Sequence, residues 1–206
     1  MAIAEWAETP VRYQLEIGLF DADSDARLTA QTPDGQPVEP PLVGTVDVVP
    51  LTVPPEIVSE DFLPSDALAG FGEDPVLAHL LSVEAPAEAG AGSDITITLH
   101  WRALQTANVD YIAFIHLWEP GADAPLAQDD APPRRGWFPT TAWAAGDHIP
   151  DQHTLHLPED LAPGAYPLWA GLYDPATGDR VPAHGATGRF DHNVVPLGEI
   201  RIRSLP

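Results

Sequence analysis

The sequence predicts an all-β fold, a β-sandwich preceded by a β-hairpin from a partial second copy of the same unit. Three observations carry this. First, 24 prolines and 16 glycines among 206 residues punctuate short β-branched and aromatic runs, a pattern of strands and turns rather than helices. Second, residues 94–102 alternate without a break, with Ile95, Ile97, Leu99 and Trp101 on one side and Thr96, Thr98, His100 and Arg102 on the other. Third, the stretch Tyr166 to Arg180, YPLWAGLYDPATGDR, has a counterpart near the N-terminus.

That counterpart is extensive. Residues 10–28 align with 163–181 at a constant offset of 153: Pro10 with Pro163, Tyr13 with Tyr166, Leu15 with Leu168, Gly18 with Gly171, Asp21 with Asp174 and Arg27 with Arg180. After a one-residue slip, Gly44-Thr45-Val46-Asp47-Val48 aligns with Gly198-Glu199-Ile200-Arg201-Ile202. Two strands and the loop between them are repeated, as in a duplicated domain. Residues 1–49 therefore read as the terminal two strands of a preceding sandwich, with Tyr13, Leu15, Ile17 and Leu19 facing a core. A lone two-stranded hairpin is marginal in water, so it is expected to pack on the complete domain or to pair with another chain.

Residues 50–74 read as a Pro-rich acidic linker with one helical turn at Ser65 to Ala69. Residues 75–206 read as a complete sandwich. Its strands are expected at 76–84, 94–102, 110–119, 124–129, 152–157, 166–173 and 197–203, with an irregular segment at 130–150. Residues 110–119, DYIAFIHLWE, are apolar on both faces, as suits a central strand. The run Leu161-Ala162-Pro163-Gly164-Ala165-Tyr166 has the form of a tyrosine corner, in which the Tyr hydroxyl bonds back to the preceding turn. Seven strands with this corner predict an immunoglobulin or fibronectin III-like sandwich lettered A, B, C, C′, E, F, G. A jelly roll is the alternative, with an eighth strand hidden in 130–150.

The net charge is −22, from 31 acids against 9 bases, all of them Arg. Such a surface repels phosphate backbones and anionic headgroups, which argues against a nucleic-acid partner. Cysteine is absent, which excludes disulfides and thiolate chemistry. The N-terminal MAIAEWAETP lacks the basic and apolar regions of a signal peptide, and no apolar run approaches the roughly 20 residues that cross a bilayer. Asn108 is followed by Val-Asp and Asn193 by Val-Val, so neither is a glycosylation acceptor.

Candidate sites concentrate around the irregular segment. Asp129, Asp130, Asp147 and Asp151 are Ca²⁺ candidates, since a hard cation takes oxygens from loop carboxylates, although the EF-hand pattern is absent. Trp137 and Trp143, with Arg134, Arg135 and Asp147, have the ingredients of a glycan site: rings to stack on a sugar and polar groups to bond its hydroxyls. His153 and His156 fall on opposite faces of a strand and cannot share a metal, whereas Asp151 and His153 share a face. No nucleophile elbow, phosphate loop or zinc motif is present, so the expectation is a non-catalytic module without a cofactor.

Several phrases together resemble a known family: DITITLHW at 94–101, YIAFIHL at 111–117, DDAPP at 129–133, GWFPT at 136–140 with WAAGD at 143–147, then GLYDPATGDR and LGEIRI. They resemble the extracytoplasmic β-sandwich region that follows the membrane part of bacterial phospholipid-carrier-dependent glycosyltransferases and of related uncharacterised membrane proteins. The resemblance covers about residues 71–203, with 10–49 as a partial second copy. It implies an extracytoplasmic accessory module whose partners are the other domains of a parent protein. It places catalysis in a membrane portion that these residues do not contain.

Overall fold

The computed structural model describes residues 11–16, 18, 27–34, 36–38, 42–48, 67–119 and 121–203. The described strands, in order, are β1 (Val11–Glu16), β2 (Ala30–Gln31), β3 (Pro37–Val38), β4 (Leu42–Val48), β5 (Ala69–Phe71), β6 (Ala78–Glu84), β7 (Glu88–Gly90) and β8 (Asp94–Ala103). They continue with β9 (Ile112–Leu117), β10 (Ala127–Ala131), β11 (His148–His156), β12 (Gly164–Tyr173), β13 (Ala183–Gly185), β14 (Gly188–Arg189) and β15 (Val195–Arg203).

Two sheets face each other. One has the order β11-β8-β6-β5-β13-β14 and the other β10-β9-β12-β15-β7. The seven expected strands correspond to β6, β8, β9, β10, β11, β12 and β15, with β6, β8 and β11 in one sheet and β9, β10, β12 and β15 in the other. Residues 132–147 hold two 3₁₀ turns and no strand, so the eighth strand that a jelly roll required is absent there. The fold is the expected all-β sandwich. β7 crosses to the second sheet and pairs with β15 in parallel.

The core follows from the period-2 alternation. Ile95, Ile97, Leu99 and Trp101 of β8 are buried, and Leu168, Ala170 and Leu172 of β12 meet them with Ile200 and Ile202 of β15. Trp101 packs edge-on against Phe71 with ring centroids 5.2 Å apart, and Trp143 lies 6.3 Å away. The tyrosine corner is formed: the Tyr166 hydroxyl donates to the Ala162 carbonyl at 2.9 Å.

The sandwich begins earlier than expected. Ala69, Gly70 and Phe71, assigned to the linker, are buried and form β5 between β6 and β13. Three apolar or small residues in a Pro-rich acidic stretch give too short a run for periodicity to detect. Residues 50–66, including the first half of the expected helical turn, lie outside the described residues, and Ala69 belongs to a strand. The fifth strand of the seven is also longer than expected, because β11 starts at His148.

The N-terminal hairpin reproduces the C-terminal one in detail. β1 and β4 pair with Tyr13 opposite Val46 and Leu15 opposite Gly44. β12 and β15 pair with Tyr166 opposite Ile200 and Leu168 opposite Gly198. The register shifts immediately after Leu15 in one and after Leu168 in the other. An extra residue at one place in both ladders is the mark of a shared β-bulge. Burial departs from the sequence reading. Val11 and its register partner Val48 are buried, yet Tyr13 is 38% exposed where Tyr166 is 8% exposed. Among the described residues, the surroundings that bury Tyr166 have no counterpart around Tyr13. Ile17 and Leu19 lie outside the described residues.

Two substitutions probe this architecture. Tyr166→Phe removes one hydrogen bond to the corner carbonyl and is expected to cost about 1 kcal/mol in urea denaturation. Gly171→Ala places a methyl group into the Phe114 ring, which crosses directly above it, and is expected to cost about 1–3 kcal/mol.

Candidate functional site

The irregular segment bridges the edge strands of the two sheets. β10 is the outer strand of one sheet and β11 of the other. The opening between them is closed by charge. His153 is fully buried, with Nδ1 3.2 Å from Asp129 Oδ2 and Nε2 3.1 Å from Asp151 Oδ2. A neutral imidazole donates from one nitrogen only, so two carboxylate acceptors call for the imidazolium.

The energetics agree. Burial pulls the His153 pKa down, but the hydrogen bond to Asp151 and the charges of Asp151 and Asp129 outweigh burial and the opposing Arg135, and the net shift is upward. For Asp129, burial pushes upward, but Arg135, the Thr154 amide and His153 together hold the carboxyl below its usual value. Arg135 forks onto Asp129 through Nη1 at 2.9 Å and Nη2 at 2.5 Å. The Thr154 amide donates to Asp129 Oδ2 at 3.0 Å, and the Arg134 amide donates to Asp151 Oδ1 at 2.7 Å.

These bonds hold an unusual turn. Arg134 and Arg135 have φ of 55° and 56°, in the left-handed region that non-glycine residues rarely occupy. Each such residue costs on the order of 1 kcal/mol or more and persists where its surroundings dictate it. Here Asp151 grips the amide of one and Asp129 the guanidinium of the other.

The rest of the segment is packed inward. Thr140 is fully buried and donates to the Val109 carbonyl at 2.6 Å while accepting from the Tyr111 amide at 2.9 Å. The Trp143 indole donates to the Phe138 carbonyl at 3.1 Å. At Trp137 the segment meets the N-terminal hairpin: the Arg12 amide of β1 donates to the Trp137 carbonyl at 2.6 Å.

The residues expected to bind glycan are therefore separated. Trp137 is 58% exposed but Trp143 is 1% exposed, packed beside Trp101 with its polar atom already bonded. Trp143 is a core residue and offers no face to a sugar. Position within an irregular run carries no periodicity, so its burial was not legible. Arg135 is committed to Asp129, and Asp147 accepts from the Ala144 amide of its own turn at 2.8 Å.

The four Ca²⁺ candidates are likewise dispersed. Asp129 and Asp151 flank His153. Asp130 points to the other side of β10 and lies 3.1 Å from His116 Nε2. Asp147 caps its turn. Among the described residues no group of three or more His, Asp or Glu side chains is arranged to hold a metal ion. His156 is exposed and lies 2.6 Å from Asp94. Sequence reasoning noted that Asp151 and His153 share a face, but not that Asp129, 24 residues away from His153, completes their trio.

A scan against protein-family models finds no match for this chain, and a search of curated proteins finds no significant match.

The trio makes stability depend on pH in a defined sense. His153 has a folded pKa above the unfolded value of 6.5, so its contribution is complete below that value and is lost as pH rises through the folded one. Asp129 has a folded pKa below 3.8, so its contribution is present above 3.8 and is lost as pH falls through the folded value. His79 and His148 act oppositely to His153, because burial, then neighbouring charge, lowers their pKa values. The His153 part is therefore read as the difference between wild type and His153→Gln in urea titrations from pH 4 to 9. The variant is expected to be less stable by about 3 kcal/mol near pH 5. The gap is expected to shrink as pH rises.

Proposed function

We propose that this chain is a non-catalytic β-sandwich accessory module, a spacer or interaction element of a larger, membrane-associated extracytoplasmic protein. The observation that carries the reading is the repeated hairpin. β1 and β4 match β12 and β15 in register and in the position of the bulge, as expected of a unit used more than once along one polypeptide. The most buried titratable cluster supports it too. Both ring nitrogens of His153 face carboxylates, and Asp129 and Asp151 are occupied by Arg135 and backbone amides, which suits a structural tie better than proton transfer to a substrate.

The extracytoplasmic placement rests on the phrases shared with modules that follow the membrane part of phospholipid-carrier-dependent glycosyltransferases. Any link to glycosyl transfer would run through a membrane portion. Among the described residues no helix is long and apolar enough to cross a membrane. The partners on this reading are neighbouring domains of the parent protein, and the acidic surface disfavours nucleic acid.

The test is protease accessibility in the source cells, read with an antibody against residues 75–206. Proteinase added outside, to intact cells or to spheroplasts, is expected to remove the epitope while a cytoplasmic marker survives. Epitope loss only after lysis would overturn the placement.

A further inference from the structure

The outward face of the five-stranded sheet carries a ladder of rings. The pairing register sets Gln128, His116, Trp169 and Pro196 side by side in one row, and Asp130, Phe114 and Gly171 in the next. Along β9 the rings follow one another: Phe114 lies 4.7 Å from His116, and His116 lies 6.2 Å from Trp118 with the planes only 25° apart. Tyr173 continues the ladder at 6.2 Å from Phe114.

One end of this face is closed. Phe114 lies over Gly171 and is itself covered by the Arg180 guanidinium at 5.2 Å, leaving Phe114 1% exposed. The other end is open. Trp118 and Trp169 are partly exposed, and the His116 side chain keeps 13% of its surface open beside them. Among the described residues neither the Trp118 nor the Trp169 indole N–H donates to a protein acceptor. Asp130 fixes the His116 ring through Nε2 at 3.1 Å, and exposed Gln128 stands next to it in the same row.

We propose that His116, Trp118 and Trp169 form a binding platform for an uncharged polysaccharide. Aromatic rings gathered on the outward face of a sheet suit the C–H faces of pyranose rings, and His116 and Trp118 already hold their planes within 25° of each other. The rim offers what hydroxyls need: two free indole donors, the Gln128 amide and the Asp130 carboxylate. A hydrocarbon partner would leave these polar tips unpaired, which is costly. The net charge of −22 disfavours anionic chains. The platform is separate from the irregular segment, and it does not depend on the accessory-module reading.

The experiment is native affinity electrophoresis of the full chain in gels containing soluble mannan, β-glucan, xylan or galactan, with polygalacturonate as the anionic comparison. At least one neutral polymer is expected to retard the protein, and polygalacturonate to have no effect. The double variant Trp118→Ala/Trp169→Ala should weaken that retardation about tenfold or more, equivalent to one or more decades in Kd, while Trp137→Ala leaves it unchanged. Should the double variant melt early, Gln128→Ala and protection of wild-type indoles from N-bromosuccinimide by the bound polymer read the same face. No retardation by any neutral polymer, retardation by polygalacturonate alone, or retardation lost in Trp137→Ala and kept in the double variant would each overturn the proposal. None of these outcomes bears on where the module resides in the cell.

Discussion

Two β-sheets stacked face to face leave an opening along each side, where the last strands cannot hydrogen-bond to each other. In this protein the opening between β10 and β11 is bridged by one charged side chain, His153, set between a carboxylate from each strand. The first turn of the segment that connects these strands is held by that trio. Asp151 holds the backbone of Arg134, Asp129 holds the side chain of Arg135, and the turn between them adopts a conformation it would not choose alone. An apolar closure would serve stability as well or better, since burying charges is expensive even when they are paired. Charges fix geometry where hydrophobic contacts would slide, and the segment from Pro132 to Asp147 contains only two short 3₁₀ turns to hold its course.

The two hairpins show how far local sequence determines structure without its surroundings. Register and bulge survive in the N-terminal copy, because they follow from residues within the hairpin itself. Burial does not, because it depends on what lies opposite. The glycine repeated at 18 and 171 makes the point. At Gly171 the space above the backbone is filled by the Phe114 ring from strand β9, whereas at Gly18 it is approached by the guanidinium of Arg27. The same residue, placed for the same reason, is covered by an aromatic ring from a neighbouring strand in one copy and by its own loop in the other.

Much of the fold was legible in the chain. Alternation located β8, the tyrosine corner located the start of β12, and the repeat located the pairing of β1 with β4. What escaped the sequence were elements whose neighbours define them. β5 is three residues long and exists because β6 and β13 flank it. The start of β11 carries Pro150 and a buried Asp151, which read as loop because strands seldom place a proline and an acid there; as an edge strand it tolerates the first, and His153 explains the second. The site was less legible still. Trp143 and Trp137 sit close in sequence with the same flanking chemistry, and nothing local separates a core anchor from an exposed ring. The spacing of Phe114, His116 and Trp118 does place three rings on one face of a strand, but which face looks outward is decided by β12 and β10.

The edge at β11 has a further consequence. Sandwich units strung along one polypeptide hold their exposed edges near one another at high effective concentration, so a free ladder of backbone donors invites strand exchange between sisters. On β11 that ladder is disarmed at two positions of the same edge. Pro150 has no amide hydrogen to offer, and the Thr154 amide is already committed to Asp129. The Arg134 side chain stands over the Pro150 carbonyl at 3.5 Å, and the carboxylates beside it would meet like charges on an approaching copy. The polar cluster thus marks a border: it keeps this edge of the sheet from being extended by another strand.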